Sequence, residues 1–275
     1  MSFVPRASTR LFALLGDPVS HSLSPTLQNA ALRAAGLDGV YVALRCAPGD
    51  VAGLLRGLAL AGGGGNVSVP HKAAAAAAVD RRTATVERTG ACNTFWSEDG
   101  EVWGDNTDVA GARGAIEALT GGGSPESVLL IGAGGAARAV LCALEGSARR
   151  VVVLNRSVER AQELAARFAS DELSIEILPL DADLAGRRFD LAINSTSLGL
   201  RPTDALPPTG GALFSAALDL VYSPTDTAWV ERLRAEGIPA MDGKEMLLQQ
   251  GAAAFRRWWP AEPPVEAMRA ALAAR

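Results

Sequence analysis

Lysine is scarce in this chain, and one of its two lysines lies where an acid–base group could act. Of 26 basic residues only Lys72 and Lys244 are lysines, and the others are arginines. An amine can lose its proton near neutral pH in a suitable site, whereas a guanidinium cannot. Lys72 lies in the first turn of a predicted helix, where a cation interacts unfavourably with the helix dipole. A contribution to helix stability therefore does not explain a lysine at this position. We predict an acid–base role for Lys72, and a solvated lysine at a helix start is the alternative.

The segment that contains Lys72 predicts a strand followed by a helix. From Asn66 to Val69 polar and apolar residues alternate, as in a half-buried strand, and a proline follows. Asn66 and Ser68 then share one face of the strand, with Lys72 just past its end. The alanines from 73 to 78 favour the helix.

Two serines lie in a loop between an earlier predicted strand and helix. The apolar run 11–15 predicts the strand, and Ser24 followed by Pro25 predicts the helix start, with the serine hydroxyl as N-cap. In open α/β sheets ligands bind at the carboxyl ends of the strands, which is where this loop places Ser22 and Ser24. Ligand binding and simple capping both stay open for Ser24.

A polar cluster precedes another predicted helix further along the chain. Residues 91–103 predict a β-hairpin with an Asp-Gly tip. The cluster from Gly104 to Asp108 follows, and a helix is predicted from about 109 to 119. Asp108 is a candidate functional carboxylate, although it or Thr107 could instead be the N-cap of that helix.

A glycine-rich turn joins a predicted strand to a predicted helix. The apolar run 128–131 predicts a buried parallel strand, and Gly132-x-Gly134-x-x-Ala137 follows it. The first glycine permits a tight turn, the second lets backbone approach a pyrophosphate, and a small third residue lets the helix pack on the strand. With the next strand, from 151 to 154, this is a βαβ unit whose helix N-terminus favours phosphate. We predict a dinucleotide site, and the alternative is a glycine turn that serves packing only.

The end of the second strand of that unit discriminates between the two dinucleotides. NAD sites place a carboxylate about twenty residues past the glycines, where it binds the ribose 2′-OH. Here the strand runs into Asn155-Arg156-Ser157, with Arg160 one helical turn further and no carboxylate at the tip. Two guanidiniums can bind a 2′-phosphate. The sequence therefore favours NADP, with ordinary solvated arginines as the alternative.

The remaining periodic segments predict a further set of strands and helices. Residues 40–44, 189–194 and 218–221 are predicted strands, and residues 48–60, 227–235 and 243–258 are predicted helices. The polar residues after 193 would face the nicotinamide end of a doubly wound sheet. Gln250 would be a polar group in an apolar helix stripe, so it needs a partner, either a ligand or backbone.

Composition excludes several classes of protein. The 275 residues suffice for two modest domains, and the net charge of −4 with a pI near 5.4 argues against a nucleic-acid or anionic-membrane partner. No apolar run approaches the roughly 18 residues that span a bilayer, and no signal-peptide pattern is present. Three widely spaced cysteines and two histidines argue against a disulfide framework and a zinc site. We predict a cytoplasmic protein with a small-molecule substrate and no metal.

Together these motifs resemble the shikimate dehydrogenase family from about Leu11 to Trp258. The resemblance rests on Ser22-Leu23-Ser24-Pro25, Asn66 through Lys72, Asn93-Thr94, Asn106-Thr107-Asp108, Gly132 through Ala136, Asn155-Arg156-Ser157, Asn194-Ser195-Thr196 and Gly243 through Gly251, in this order. It implies reversible, NADPH-dependent reduction of 3-dehydroshikimate to shikimate in aromatic amino-acid biosynthesis. Val109 and Leu200 stand where the family often has Gly and Met, and Ser68 where Thr is common. These departures concern substrate fit more than reaction type.

The resemblance also implies roles for individual residues. Lys72 and Asp108 would be the catalytic acid–base pair. The substrate would be bound by Ser22, Ser24, Asn66, Ser68, Lys72, Asn93, Asp108, Tyr222 and Gln250. NADP would be bound by Gly132, Ala133, Gly134, Gly135, Ala136, Asn155, Arg156, Ser157, Arg160, Thr196, Leu220 and Gly243.

The implied fold is α/β with two domains. An N-terminal substrate domain with a mainly parallel sheet would span 1–107 and be completed by helices within 243–275, and a Rossmann-like, doubly wound NADP domain would span 108–242. The protein would be a monomer or homodimer. The alternatives are a quinate/shikimate dehydrogenase using NAD(P), a non-catalytic NADP-binding relative, and a methylene-tetrahydrofolate dehydrogenase. The serine-rich first loop and Gln250-Gly251 do not favour the last of these.

Overall fold

The chain divides into two compact units. The computed structural model describes residues 4–201, 203–223 and 225–274. Unit 1 comprises the chain up to Gly111 together with the segment from Leu247 onward, and unit 2 comprises Ala112–Met246. Both boundaries fall inside helices.

A mixed sheet forms the centre of unit 1. Its described strands are β1 (Arg10–Gly16), β2 (Gly39–Arg45), β3 (Gly64–Val67), β4 (Arg81–Arg82), β5 (Thr94–Glu98) and β6 (Glu101–Asp105), in the order β2-β1-β3-β5-β6-β4. Strands β1, β2 and β3 are parallel to one another, and β5 is antiparallel to both β3 and β6. Because β3 and β6 run in the same direction, the segments that leave their carboxyl ends emerge at one edge of the sheet.

Unit 2 is built on a parallel sheet. Its described strands are β7 (Ser127–Ile131), β8 (Arg150–Asn155), β9 (Ser174–Pro179), β10 (Arg188–Asn194), β11 (Leu213–Asp219) and β12 (Ala240–Met241), in the order β12-β11-β10-β7-β8-β9. Every neighbouring pair is parallel. The apolar runs of β7 and β8 are fully buried, as expected of strands covered on both faces. The strand order reverses between β7 and β10, and ligands of doubly wound sheets bind at such a switch point. The predicted α/β class is confirmed.

Helices connect the strands in both units. The described α-helices are α1 (Ser24–Ala34), α2 (Val51–Leu60), α3 (Lys72–Ala78), α4 (Ala84–Thr89), α5 (Asp108–Thr120), α6 (Gly135–Leu144), α7 (Val158–Phe168), α8 (Ala228–Ala235), α9 (Lys244–Trp258) and α10 (Val265–Ala273). Several predictions were wrong in detail. The strand predicted from Asn66 to Val69 is β3, which ends at Val67, so Ser68 lies beyond the strand and not on its face. The helix predicted over 48–60 begins as a 3₁₀ turn at 48–50, and α2 starts at Val51. Ser24 is the first residue of α1 and not its N-cap, because Leu23 holds the cap position and forms no side-chain cap bond. The strand predicted at 218–221 is β11, which ends at Asp219 because Leu220 and Val221 turn away from the ladder.

The hairpin β5–β6 has the predicted Asp-Gly tip. Asp99 and Gly100 have φ values of +52° and +78°, the two positive values that a type I′ turn requires. The turn pairs Thr94 with Asp105 across the ladder. It thereby brings the residues just before β5 next to those just after β6.

Neither a membrane span nor a metal cluster is found in the described ranges. No helix there is long and apolar enough to cross a bilayer, and no group of three or more His, Cys, Asp or Glu could hold a metal ion. The three cysteines are buried and none is in a disulfide.

Candidate active site

An ion pair between Lys72 and Asp108 lies at the carboxyl edge of the unit 1 sheet. Lys72 Nζ is 2.5 Å from Asp108 Oδ2. Lys72 opens α3 after β3, and Asp108 opens α5 after β6, so the common direction of these strands brings the two residues together. The two side chains are 24% and 12% exposed, which shields the pair from bulk water but leaves it reachable by a ligand.

Asn93 holds the other oxygen of the Asp108 carboxylate. Its Nδ2 donates to Asp108 Oδ1 over 2.8 Å, so each carboxylate oxygen accepts from a different donor. Backbone bonds fix the same corner, since Cys92 N donates to Lys72 O and Asn93 N donates to Asp105 O. The sequence singled out Lys72, Asn93 and Asp108, and the structure places all three in one cluster.

This arrangement leaves proton donors available on Lys72. An ammonium carries three hydrogens, and Asp108 Oδ2 is its one hydrogen-bond partner within the described chain. A held amine beside a carboxylate can give a proton to an alkoxide, or take one from a hydroxyl. The pair therefore fits acid–base chemistry on a substrate oxygen.

The three predicted serines present hydroxyl groups at the same edge of unit 1. Ser22 Oγ accepts from Ser24 N over 3.2 Å, which shapes the loop before α1. The hydroxyl of Ser24, although buried, bonds to no other residue in the described part of the chain, and the same holds for the half-buried Ser68. Since Ser24 does not cap α1, its hydroxyl is free for a ligand.

Gln250 and Tyr222 lie in different units. Gln250 is buried on α9, where its Nε2 donates to Leu247 O over 2.9 Å, and its side-chain carbonyl has no hydrogen-bond partner in the described ranges. Tyr222 is half-buried in the loop that follows β11 in unit 2. The predicted substrate set is thus divided between the units.

Asn66 differs from the other predicted substrate residues because its amide is bound by protein. Its Oδ1 accepts from Tyr41 Oη over 2.8 Å, and its Nδ2 donates to Asn93 O and Thr94 Oγ1. Both amide hydrogens are therefore used within unit 1.

The glycine turn of unit 2 has the geometry of a dinucleotide cradle. Gly132 has φ +106°, and a Cβ there would lie 2.7 Å from Ser195 Oγ, so only glycine fits this turn. Gly134 and Gly135 are exposed, and an added Cβ would meet nothing within 4 Å at either position. Gly134 precedes α6 without a side-chain cap, which leaves backbone N–H groups free for phosphate. Ala137 is buried against the sheet, as the motif requires.

The tip of β8 carries two exposed arginines. In the described chain neither Arg156 nor Arg160 forms an ion pair or a side-chain hydrogen bond, so both guanidiniums are available to an anion. Asn155 Nδ2 donates to Ser157 O, and Ser157 Oγ accepts from Arg160 N as the N-cap of α7. The sequence reasoning left out Glu159. Its own backbone N–H and the Ser157 hydroxyl lower the pKa of this exposed carboxyl.

The remaining predicted cofactor residues lie beyond the carboxyl ends of β10, β11 and β12. Thr196 N and Oγ1 both donate to Asn194 Oδ1, and Leu220 N donates to Asn194 O. Gly243 N donates to Val221 O, and a Cβ at Gly243 would lie 2.4 Å from Leu220 O. Glycine therefore lets the start of α9 pack directly on the loop that carries Leu220.

Asp219 at the end of β11 is a buried carboxylate that sequence reasoning missed. It accepts from Asn194 Nδ2, Thr227 Oγ1 and Val221 N. Burial raises the pKa of this carboxyl despite the three donors. The network ties the end of β11 to the N-cap of α8. An acidic residue at the end of an apolar strand was the available signal.

Three known family models match successive segments of this chain. Residues 14–95 match the shikimate dehydrogenase substrate-binding domain, residues 117–199 match the shikimate/quinate 5-dehydrogenase profile, and residues 243–273 match the shikimate 5′-dehydrogenase C-terminal domain. The NADP⁺ shikimate dehydrogenase of Moorella thermoacetica is 42% identical over 273 residues, which cover 96% of this chain and 92% of that protein.

Solved structures give the same result. A shikimate dehydrogenase in complex with NADP⁺ superposes with a TM-score of 0.88 at 34% identity and covers 98% of this chain and 96% of its own. Shikimate 5-dehydrogenase from Thermus thermophilus, in complex with NADP(H) and shikimate, has a TM-score of 0.82 at 38% identity and covers 95% and 98%.

A shielded Lys72–Asp108 ion pair in one α/β unit and an open glycine turn in a doubly wound second unit fit the class of dinucleotide-dependent oxidoreductases. The similarity extends over almost the whole chain and over nearly the full length of its relatives. The chain belongs to the shikimate dehydrogenase family.

Proposed function

We propose that this chain is an NADP-dependent shikimate dehydrogenase that reversibly reduces 3-dehydroshikimate to shikimate in aromatic amino-acid biosynthesis. The observation that carries the proposal is the cluster of Lys72, Asp108 and Asn93, which is built for proton transfer to a substrate oxygen. Relatives that match 96% of this chain are named NADP⁺ shikimate dehydrogenases. The activity is an oxidoreduction of a CH–OH group.

Lys72 is the proton donor and acceptor in the proposed reaction. Reduction of a carbonyl leaves a negatively charged oxygen, and the Lys72 ammonium both stabilises this charge and donates the proton. In the direction of oxidation the amine takes the proton back. Asp108 holds Nζ in place, and Asn93 holds the carboxylate from its other side.

Unit 2 supplies the cofactor site in this proposal. When bound, NADPH provides the hydride. Its pyrophosphate would meet the turn formed by Gly132, Ala133, Gly134, Gly135 and Ala136, whose open backbone fits a phosphate. Arg156 and Arg160, flanked by Asn155 and Ser157, would hold the 2′-phosphate. Thr196, Leu220 and Gly243 would line the nicotinamide end, at the switch point of the sheet.

The substrate is a small polyhydroxy acid, so its site needs several neutral hydrogen-bonding groups. Ser22, Ser24, Ser68, Asn93, Tyr222 and Gln250 are proposed to bind its hydroxyls and carboxylate. The hydroxyls of Ser24 and Ser68 and the side-chain carbonyl of Gln250, which bond to no other described residue, support this assignment. Unit 1 would then be the substrate domain and unit 2 the NADP domain.

Compartment and assembly complete the proposal. Three buried cysteines without disulfides suit a reducing compartment, which supports a cytoplasmic location. A monomer or homodimer is expected, and light scattering on the purified protein would decide between them.

The proposal is tested by a spectrophotometric assay of NADPH formation with shikimate and NADP⁺. Quinate replaces shikimate, and NAD⁺ replaces NADP⁺, in matched reactions. We expect the highest kcat/KM for shikimate with NADP⁺. A higher kcat/KM with quinate or with NAD⁺ would move the chain to the quinate/shikimate group. A folded protein that reduces neither cofactor with either substrate would refute the proposal.

A further inference from the structure

The acid–base pair lies at one end of a buried chain of polar side chains that begins at Tyr41 on β2. Six of these side chains are at most 8% exposed, and they are Tyr41, Asn66, Thr94, Thr107, Asn93 and Asp108. Tyr41 and Asn66 lie on strands separated by β1, so the chain of contacts crosses the sheet of unit 1. Burying polar groups in an otherwise apolar core costs desolvation free energy. A network kept at this cost indicates a group whose position it fixes.

Backbone groups fix the orientation of Asn66. Asn93 O can only accept, so the Asn66 group that lies 3.1 Å from it must be the Nδ2 donor. Asn66 Oδ1 therefore faces Tyr41, whose hydroxyl donates to it over 2.8 Å. The second hydrogen of Asn66 Nδ2 is donated to Thr94 Oγ1 over 2.9 Å. Thr94 Oγ1 accepts this bond, and its own hydroxyl hydrogen is donated to Asn93 Oδ1.

A backbone group also fixes the orientation of the Asn93 amide. Thr107 N can only donate, so the Asn93 atom 2.7 Å from it must be Oδ1. The hydroxyls of Thr94 and Thr107 lie 2.9 and 3.1 Å from this oxygen and 2.9 Å from each other. With Oδ1 held there, Asn93 Nδ2 faces Asp108 Oδ1, and Asp108 Oδ2 faces Lys72.

We infer that Tyr41 and Asn66 are positioning residues for the proposed dehydrogenase reaction. Through Thr94 they reinforce the bond from Thr107 N that holds Asn93 with Nδ2 towards Asp108, and so help to hold Asp108 against Lys72. Asn66, expected from the sequence to contact substrate, acts instead from behind Asn93. The inference rests on the proposed function, because its readout is the rate of that reaction.

Tyr41 is suited to the role of a fixed donor. Burial raises the pKa of its phenol well above the ordinary value, so the hydroxyl stays protonated. Its ring packs on the ring of Trp258, with centroids 5.9 Å apart, and a phenylalanine ring would make the same contact. Packing alone therefore does not account for the hydroxyl, whereas the bond to Asn66 does.

The first test is Tyr41→Phe, which removes one oxygen and keeps the ring. Asn66 Oδ1 then loses its donor, so one of the three hydrogen bonds that hold this amide against its neighbours is gone. We expect kcat for shikimate oxidation to fall by about two- to tenfold, the range that one net hydrogen bond supplies. KM for NADP⁺ should stay at the wild-type value, and KM for shikimate should change less than kcat.

A second pair of variants tests the chain at its middle. Thr94→Val removes the hydroxyl at nearly constant shape, and Thr94→Ser keeps it. We expect Thr94→Val to lower kcat at least as much as Tyr41→Phe, and Thr94→Ser to restore most of the loss. This pair decides the question if Tyr41→Phe fails to fold.

Ser97→Ala is the matched control, because it also removes one hydroxyl from β5. Ser97 donates to Ala59 O over 2.7 Å, outside the chain described above. Its kcat should equal that of wild type. Equal losses in Ser97→Ala and Tyr41→Phe, failure of Thr94→Ser to restore kcat, or wild-type kcat in both Tyr41→Phe and Thr94→Val would overturn the inference. These outcomes require an active wild-type enzyme, whereas an inactive wild type refutes the proposed function itself.

Discussion

Replacing Asp108 by asparagine changes one atom of the site and sets up a conflict that the structure makes explicit. The two carboxylate oxygens face two donors, Asn93 Nδ2 at 2.8 Å and Lys72 Nζ at 2.5 Å. An amide can accept at only one of its two ends, so in Asp108→Asn one of these contacts becomes donor against donor. Asn93 cannot turn to relieve it, because Thr107 N holds its Oδ1.

The size of the effect follows from the contact that is lost. A hydrogen bond to a charged group contributes about 1.5–3 kcal/mol, and about 1.4 kcal/mol corresponds to a factor of ten. Both side chains are less than a third exposed, so solvent screening removes little of this. We expect kcat of Asp108→Asn to fall by about ten- to 150-fold, with KM for NADP⁺ unchanged.

Steady-state assays of NADPH formation measure this, with Glu117→Gln as the control. Glu117 is an exposed residue of the same helix, and the substitution makes the same chemical change. Its kcat should match wild type. If Asp108→Asn keeps kcat within about twofold of wild type, or changes KM for shikimate alone, then Asp108 binds substrate without orienting Lys72 and the reasoning fails.

Further predictions concern the cofactor and the response to pH. Arg156→Gln and Arg160→Gln should each raise KM for NADP⁺ by about tenfold and leave KM for NAD⁺ unchanged, since each removes a donor to the 2′-phosphate; equal effects on both cofactors would contradict the assignment. The pKa of Asp105 is lowered: burial opposes the shift, but bonds from Thr85 and Thr83 and the charge of Arg257 prevail. Its contribution to stability is present above about pH 4 and lost on acidification, so urea unfolding should show Asp105→Asn losing less against wild type as pH falls below about 4. Asp219 has a raised pKa from burial, so its contribution is lost as pH rises through the folded value. Asp219→Asn should therefore gain on wild type as pH rises from about 4 to 7, and the same trend in both variants would refute the assigned signs.

Much of the fold could be predicted from short-range sequence patterns. The turn at Gly132 and the apolar runs before and after it specify a βαβ unit within a short stretch of chain, so the sequence predicted it well. The Asp-Gly tip of the β5–β6 hairpin is equally local. The sequence did not reveal β4, which has two residues, because so short a strand is defined only by its partner β6.

The site shows the same division between local and long-range information. Lys72, Asn93 and Asp108 were identified from residue type, position and family resemblance, and their contacts span 15 to 36 residues. The part played by Asn66 depends on Tyr41, which is 25 residues away on another strand. Such a partnership follows from sheet order, which no local pattern encodes. For the same reason the hydroxyl of Ser24 could not be separated from capping until the helix start was known.

Proton transfer by Lys72 is central to the proposed mechanism, and rapid-mixing kinetics of Lys72→Ala tests this role most directly. Single-turnover reduction of 3-dehydroshikimate by NADPH should slow by about 10²–10⁴-fold, while calorimetry shows shikimate still binding. Lys72→Arg, which keeps a cation but cannot lose a proton near neutral pH, should be similarly slow. A rate near that of wild type in Lys72→Ala would contradict the role of Lys72 as proton donor and acceptor.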